Sequence, residues 1–213
     1  MNRKLIIFDF DGTLADTLPV FVNVFDQAAD KYGFRRMDRA RQQELRNLDA
    51  RRMMAIHDIP LWKVPAIASF MRSAMARDVA DIRLFDGMED VLRALKARGT
   101  ILTIVSSNSR GNVLAVLGPE LAALFSRFEC GAALFGKLPN IRKVLAATGV
   151  AREHAMLIGD EIRDAKVSAE AGIDFGAVAW GFNHLDALIA ERPARVFRQV
   201  GELLSDTAPL PQE

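Results

Sequence analysis

Four consecutive apolar residues, Leu5-Ile6-Ile7-Phe8, run directly into Asp9-Phe10-Asp11-Gly12-Thr13-Leu14, and this junction constrains the chain more than any other stretch. A short run without a polar break reads as a strand covered on both faces, the pattern of a parallel sheet interior. Open α/β sheets place their chemistry at the carboxyl ends of such strands. Asp9 therefore ends the strand at the mouth of the sheet, and Asp11 begins the loop. Gly12 lets the chain turn where a side chain would obstruct, and Thr13 adds a hydroxyl able to bind an anion. Two carboxylates this close repel each other unless a proton or a cation intervenes, and an oxygen-only ligand set favours magnesium.

Further polar groups are expected at other strand ends. Ala155-Met156-Leu157-Ile158 is again a short apolar run, and it leads into Gly159-Asp160-Glu161-Ile162-Arg163-Asp164. Asp160 falls at the tip, where it could share a cation with Asp9, and Asp164 falls in the first turn of a following helix. The predicted strand Thr100-Ile101-Leu102-Thr103-Ile104-Val105 runs into Ser106-Ser107-Asn108-Ser109-Arg110, which offers hydroxyls and backbone N–H groups at a helix start. Phe135-Gly136-Lys137-Leu138-Pro139 places a lysine at a loop-to-helix junction.

An acidic pair, a Ser/Asn loop, a lysine and a Gly-Asp followed by a second Asp, in that order from Asp9 to Asp164, resemble the haloacid dehalogenase superfamily of phosphohydrolases. Within it the chain looks like the phosphoglycolate phosphatase and β-phosphoglucomutase group, which carries a helical cap after the first motif. The resemblance implies Asp9 as the nucleophile that becomes an aspartyl phosphate, and Asp11 as the acid/base. It implies Thr13, Ser107, the Asn108 backbone and Lys137 on the phosphate oxygens. Magnesium would lie between Asp9, Asp160 and the main-chain carbonyl of Asp11, with Asp164 and Glu161 orienting its waters. Two points stay open: Lys143 rivals Lys137, because the Lys-Pro-x-Pro form of many relatives reads Lys137-Leu138-Pro139-Asn140 here, and Ser106 rivals Ser107. Ser107 is preferred because it directly precedes Asn108.

After residue 85, strand and helix signals alternate, as in a doubly wound, Rossmann-like α/β core. Asp86 is expected to cap a helix running to Arg98, closed by Gly99. Further strands are expected near 128–132, 155–158 and 174–178, with Ala194 to Phe197 a shorter one. The resemblance implies that the first strand is central, between the second and fourth. Residues 16–84 read as helices without a strand, an inserted α-helical cap domain, leaving 1–15 and 85–213 as the catalytic core. Pro60 and Pro65 mark a helix start there. Val64, Ile67, Met71, Ala74 and Met75 recur at helical spacing and read as packing inside a small bundle. Leu14 to Thr17 and Leu84 to Gly87 would be hinges of a lid that excludes water.

Residues 34–54 hold seven arginines against Asp38, Glu44 and Asp49, a local charge of +4. A solvated helix face accounts for most of them. Related caps carry a specificity loop where Leu45 to Arg51 falls, which makes Arg46 and Arg51 candidates for the organic part of a substrate. His57, His154 and His184 share no metal-ligand spacing and read as surface or capping groups, and Trp62 and Trp180 read as packing. With half of 213 residues hydrophobic and a net charge of +1, the chain can bury a sizeable core and has no global pull toward nucleic acid or membrane. The single Cys130, a small buried hydrophobe on this reading, excludes an internal disulfide framework. No long apolar stretch suggests a leader or a membrane span, so a cytoplasmic monomer or homodimer is expected. The polar tail from Ser205 to Glu213 reads as peripheral.

These readings imply a magnesium-dependent phosphomonoester hydrolase acting on a small phosphorylated metabolite, of the phosphoglycolate or sugar-phosphate class. A phosphomutase of the β-phosphoglucomutase type is the nearest alternative. A non-catalytic phospho-receiver or binding module fits less well with Asp11, Lys137 and a cap all present.

Overall fold

The structure, a computed structural model, describes residues 3–41, 45–132 and 136–205; Phe135 and residues 206–213 of the expected peripheral tail lie outside them. In chain order the strands and helices are β1 (Leu5–Phe8), β2 (Ala15–Asp16), α1 (Leu18–Tyr32), α2 (Ala50–Ile56), α3 (Val64–Arg77), β3 (Arg83–Leu84), α4 (Met88–Ala97), β4 (Ile101–Val105), α5 (Arg110–Ala122), β5 (Phe125–Glu129), α6 (Lys137–Thr148), β6 (Ala155–Gly159), α7 (Ile162–Ala171), β7 (Asp174–Val178), α8 (Leu185–Ala190) and β8 (Arg195–Phe197). Six strands form one sheet in the order β5-β4-β1-β6-β7-β8, and every pairing in it is parallel. The first strand is central between the second and fourth of the core, as expected.

The alternation of side chains along β1 explains why it sits there. Ile6 and Phe8 join a core with Leu92 and Leu95 of α4 and Val113 of α5. Leu5 and Ile7 face the other way, into a core with Ile141 and Val144 of α6. A four-residue strand apolar on both sides buries all of it only with helices above and below. The register then sets the site: Phe8 pairs with Ile104 and with Ile158, and Asp9 N donates to Ile158 O at 2.9 Å. Asp9, Ser106 and Asp160 thus leave three neighbouring strands at one level.

Two core boundaries differ from expectation. Helix α4 starts at Met88 with Gly87 (φ 78°) at its N-cap instead of Asp86. The third core strand is Phe125–Glu129, earlier than 128–132, and its Ser126 and Arg127 are exposed. The chain turns at Gly131, φ 74°, so the apolar segment Cys130-Gly131-Ala132 follows the strand instead of forming it. Cys130 is half-buried against the core.

Helices α1, α2 and α3 rise from the sheet, and proline falls in the first turn of two of them, Pro19 in α1 and Pro65 in α3. Asp49 caps α2 by accepting from Arg52 N at 2.9 Å. The connections are not strandless. Ala15–Asp16 and Arg83–Leu84 pair antiparallel where the insertion leaves and rejoins the sheet. Such a two-residue ladder carries no period detectable in sequence. His57 is buried, not a surface group: its Nδ1 lies 2.9 Å from Arg35 O and its ring meets Phe25 edge-on. Trp62, read as packing, is 78% exposed, whereas Trp180 packs on Phe85 and donates to Thr13 O. Among the described residues, no helix is long and apolar enough to cross a membrane.

Candidate active site

Three buried carboxylates meet at the carboxyl ends of β1 and β6: Asp9, Asp160 and Asp164 each present an oxygen within 4.8 Å of the others. Asp9 is fixed by Phe10 N, which donates to Oδ1 at 2.7 Å. Lys137, the first residue of α6, is as buried as the acids. Its Nζ lies 2.6 Å from Asp9 Oδ2 and 2.7 Å from Asp164 Oδ1. Its rival Lys143 is largely exposed and lies 4.0 Å from Glu129, away from the acid cluster. Burial would lower the Lys137 pKa, but Asp164 and Asp9 hold it above its ordinary value.

The cluster fits a divalent cation. Three buried aspartates share one lysine within ion-pair reach, and buried negative charge needs compensation. Among the described residues, Asp9 Oδ2 also accepts no aligned hydrogen bond. Burial pushes the Asp9 carboxyl up to about 7, despite the opposing pull of Lys137. Asp160 is raised well above the carboxylate range, by burial first and then by Glu161 and Asp9.

Asp160 itself is tightly placed. Its Oδ1 accepts from Thr13 Oγ1 at 2.6 Å and its Oδ2 from Phe182 N at 2.7 Å. Glycine is required around it: a Cβ on Gly12 (φ 74°) would lie 2.2 Å from Asp160 Oδ2, and one on Gly181 2.1 Å from Asp160 Cβ. Thr13, expected on the phosphate, is fully buried and spends its hydroxyl on Asp160 instead. Asp164 sits at the third position of α7 in a reciprocal capping box with Glu161. Asp164 is thus shared between the helix start and Lys137.

Asp11 faces a cavity together with Ser107 and Asn108. Its Oδ1 accepts from Asn108 Nδ2 at 2.9 Å. Burial raises the Asp11 pKa, and the Asn108 hydrogen bond acts against that rise. Ser106 and Ser107 are now distinguished, because Ser106 is fully buried and its hydroxyl accepts from Asn108 N at 3.0 Å, while Ser107 lines the cavity. The Asn108 backbone N–H, expected on the phosphate, is therefore already engaged. The Asn108 side chain matters instead, holding Asp11 while its Oδ1 accepts from Asn112 Nδ2.

Arg46 and Arg51 are separated by the structure. Arg46 lines the cavity, but its Nε donates to Phe182 O at 2.9 Å and its Nη2 to Gly181 O at 2.7 Å. It ties the insertion to the loop after β7. Arg51 lies in a second cavity, of about 420 Å3, which Lys137, Arg163 and Lys166 also line. The same loop supplies residues that the sequence did not single out. Asn183 Nδ2 donates to the carbonyls of Arg46 and Leu48, and Asn183 Oδ1 accepts from Ile162 N. Their one sequence signal is position, since Trp180-Gly181-Phe182-Asn183 follows another strand end. Arg163, which carries no signal of its own among its acidic neighbours, pairs with Glu161 and lines the cavity.

A parallel sheet with an acid cluster and a buried lysine at its carboxyl edge, roofed by inserted helices, defines a hydrolase class that comparison with known proteins identifies. The chain belongs to the haloacid dehalogenase-like hydrolase family, whose model matches residues 6–178. Within that family it is a phosphatase of the phosphoglycolate phosphatase-like group. It is 31% identical over 202 residues to a phosphoglycolate phosphatase of Synechococcus elongatus, covering 94% of this chain and 95% of the relative. A 5'-nucleotidase of Pseudomonas aeruginosa is 26% identical, with 88% of each chain covered. A haloacid dehalogenase-like hydrolase of Streptococcus pneumoniae shares the fold, with a TM-score of 0.77, 22% identity and coverage of 95% of this chain and 97% of its own.

Proposed function

We propose that the protein is a magnesium-dependent phosphomonoester hydrolase that works through an aspartyl phosphate on Asp9. Residues 1–15 and 85–213 would form the catalytic core, and 16–84 a helical lid hinged at the β2–β3 ladder. The observation that carries this reading is Lys137 Nζ between Asp9 Oδ2 and Asp164 Oδ1, at 2.6 and 2.7 Å. A lysine so placed keeps Asp9 oriented and compensates charge as a phosphoryl group arrives.

Asp9 would attack phosphorus, forming its O–P bond as the ester oxygen leaves. Asp11, held by Asn108, would give a proton to the departing alkoxide. The resulting Asp11 carboxylate would then take a proton from the water that cleaves the aspartyl phosphate. Ser107 would meet a phosphate oxygen from the cavity wall. Asp9, Asp160 and the Asp11 carbonyl would hold magnesium, with Thr13 orienting Asp160; Asp164 and Glu161 would stand behind them. Bound there, the cation would neutralise negative charge on the phosphoryl oxygens. Phosphoglycolate and sugar phosphates are the comparison substrates that the family resemblance and the names of relatives suggest.

Purified protein should release inorganic phosphate from a phosphomonoester with magnesium present and lose that activity in EDTA. Calcium should restore little of it, because its larger and more flexible coordination sphere misplaces Asp9. Full activity in EDTA would refute the reading, and an isomerised sugar phosphate without free phosphate would replace it with a mutase.

Stability should show the same site. In protein stripped of metal, the Asp9 proton contributes stability that is fully present below 3.8 and lost as pH rises through about 7. Magnesium competes with that proton. The rise in Tm on adding magnesium should therefore be larger at about pH 8 than at about pH 5.5. An equal rise at both would contradict a cation on Asp9.

A further inference from the structure

The cavity that Asp11, Ser107 and Asn108 open into has a volume of about 260 Å3 and continues into the helical insertion. Of the eighteen insertion residues that line it, two are polar, Arg46 and Arg72. The rest include Phe21, Leu48, Met53, Val64 and Met71, several of them only half-buried and so presenting apolar surface to the space. Val64, Ile67, Met71 and Met75, which recur at helical spacing, also line this cavity.

Two polar side chains at its edge, Arg46 and Asn183, are occupied. Arg46 donates to the carbonyls of Phe182 and Gly181, and both ends of the Asn183 amide are engaged by backbone. A sugar placed there would bury hydroxyls against methionine and leucine, losing water bonds that the wall does not replace. A two-carbon acid would leave most of the space unfilled, since about 260 Å3 corresponds to roughly nine water volumes. Methionines adapt their shape to irregular apolar groups.

Resting on the phosphohydrolase reading above, we infer that the organic part of the natural substrate is apolar, a branched, aromatic or medium-chain hydrocarbon group borne by the phosphate ester. The phosphate sits at the Asp11 and Ser107 wall, and the hydrocarbon fills the insertion side. Arg72 is the second cation of the insertion wall, and it marks the competing outcome, an anionic group on the substrate.

Ethyl, butyl and hexyl phosphate decide between them. Their alcohols have similar acidity, so chemistry is nearly constant and the trend in kcat/KM reports binding of the chain. The inference predicts a rise of about fourfold per added methylene until the cavity is full, and hexyl phosphate turned over better than phosphoglycolate or a sugar phosphate. Met71→Gln, close in size, should flatten the series. A flat or falling series, or phosphoglycolate as the best substrate with that preference lost in Arg72→Gln, overturns the inference. If 4-nitrophenyl phosphate is hydrolysed in the same assay, the hydrolase reading survives that result. If no ester including 4-nitrophenyl phosphate is hydrolysed, both fall.

Discussion

Replacing Asp9 by asparagine should lower kcat by at least about 10^4-fold, the scale seen when a covalent nucleophile is removed. The amide keeps the shape of the carboxylate, and its oxygen still accepts from Phe10 N, a bond of 2.7 Å in the parent. The fold should therefore persist, as circular dichroism and a cooperative melt would show. What disappears is the charge that would attack phosphorus and half of the Lys137 environment. Substantial turnover by purified Asp9→Asn would remove the nucleophile from the mechanism.

Asp11→Asn should fail in a different way. Its side-chain oxygen can still accept from Asn108 Nδ2, so the loop keeps its place while the transferable proton is lost. Loss of a general acid–base costs about 10^2 to 10^4-fold, and an alkyl phosphate should show the full loss. An activated aryl phosphate has a leaving group that needs no proton. With it, phosphorylation should proceed and hydrolysis of the phosphoenzyme should stall, giving a burst of one phenolate per enzyme followed by slow turnover. A uniform loss for both esters, without a burst, would assign Asp11 to binding.

Much of this site was legible because β1 is buried on both faces, which leaves an uninterrupted apolar run, and because each acid follows such a run directly. Asp9 and Asp160 could be placed opposite each other from that alone once strand order was supplied by resemblance. The lysine could be located but not oriented: nothing in Gly136-Lys137-Leu138 shows that Nζ turns inward onto two aspartates. The hydrogen bonds that Thr13 and the Asn108 backbone N–H make were not legible, for one physical reason. A hydroxyl or N–H near a phosphate site is equally able to bind a neighbouring side chain, and here Asp160 and Ser106 took them. Arg46 shows the limit of charge counting, since its guanidinium serves as a bracket on two carbonyls 135 and 136 residues away. The edge strand β5, whose adjacent Ser126 and Arg127 are both exposed, lacks the apolar run that revealed the central strands.

Trapping the phosphoenzyme tests the central claim most directly. Asp11→Asn, mixed with an aryl phosphate and magnesium and quenched in acid during the burst, should yield a single phosphorylated peptide. Tandem mass spectrometry, after reduction of the acyl phosphate with borohydride, should place the label at Asp9. The Asp9→Asn/Asp11→Asn double variant should give none. Phosphate on another residue, or steady release of phenolate by Asp11→Asn with no labelled peptide at any time, would contradict the account.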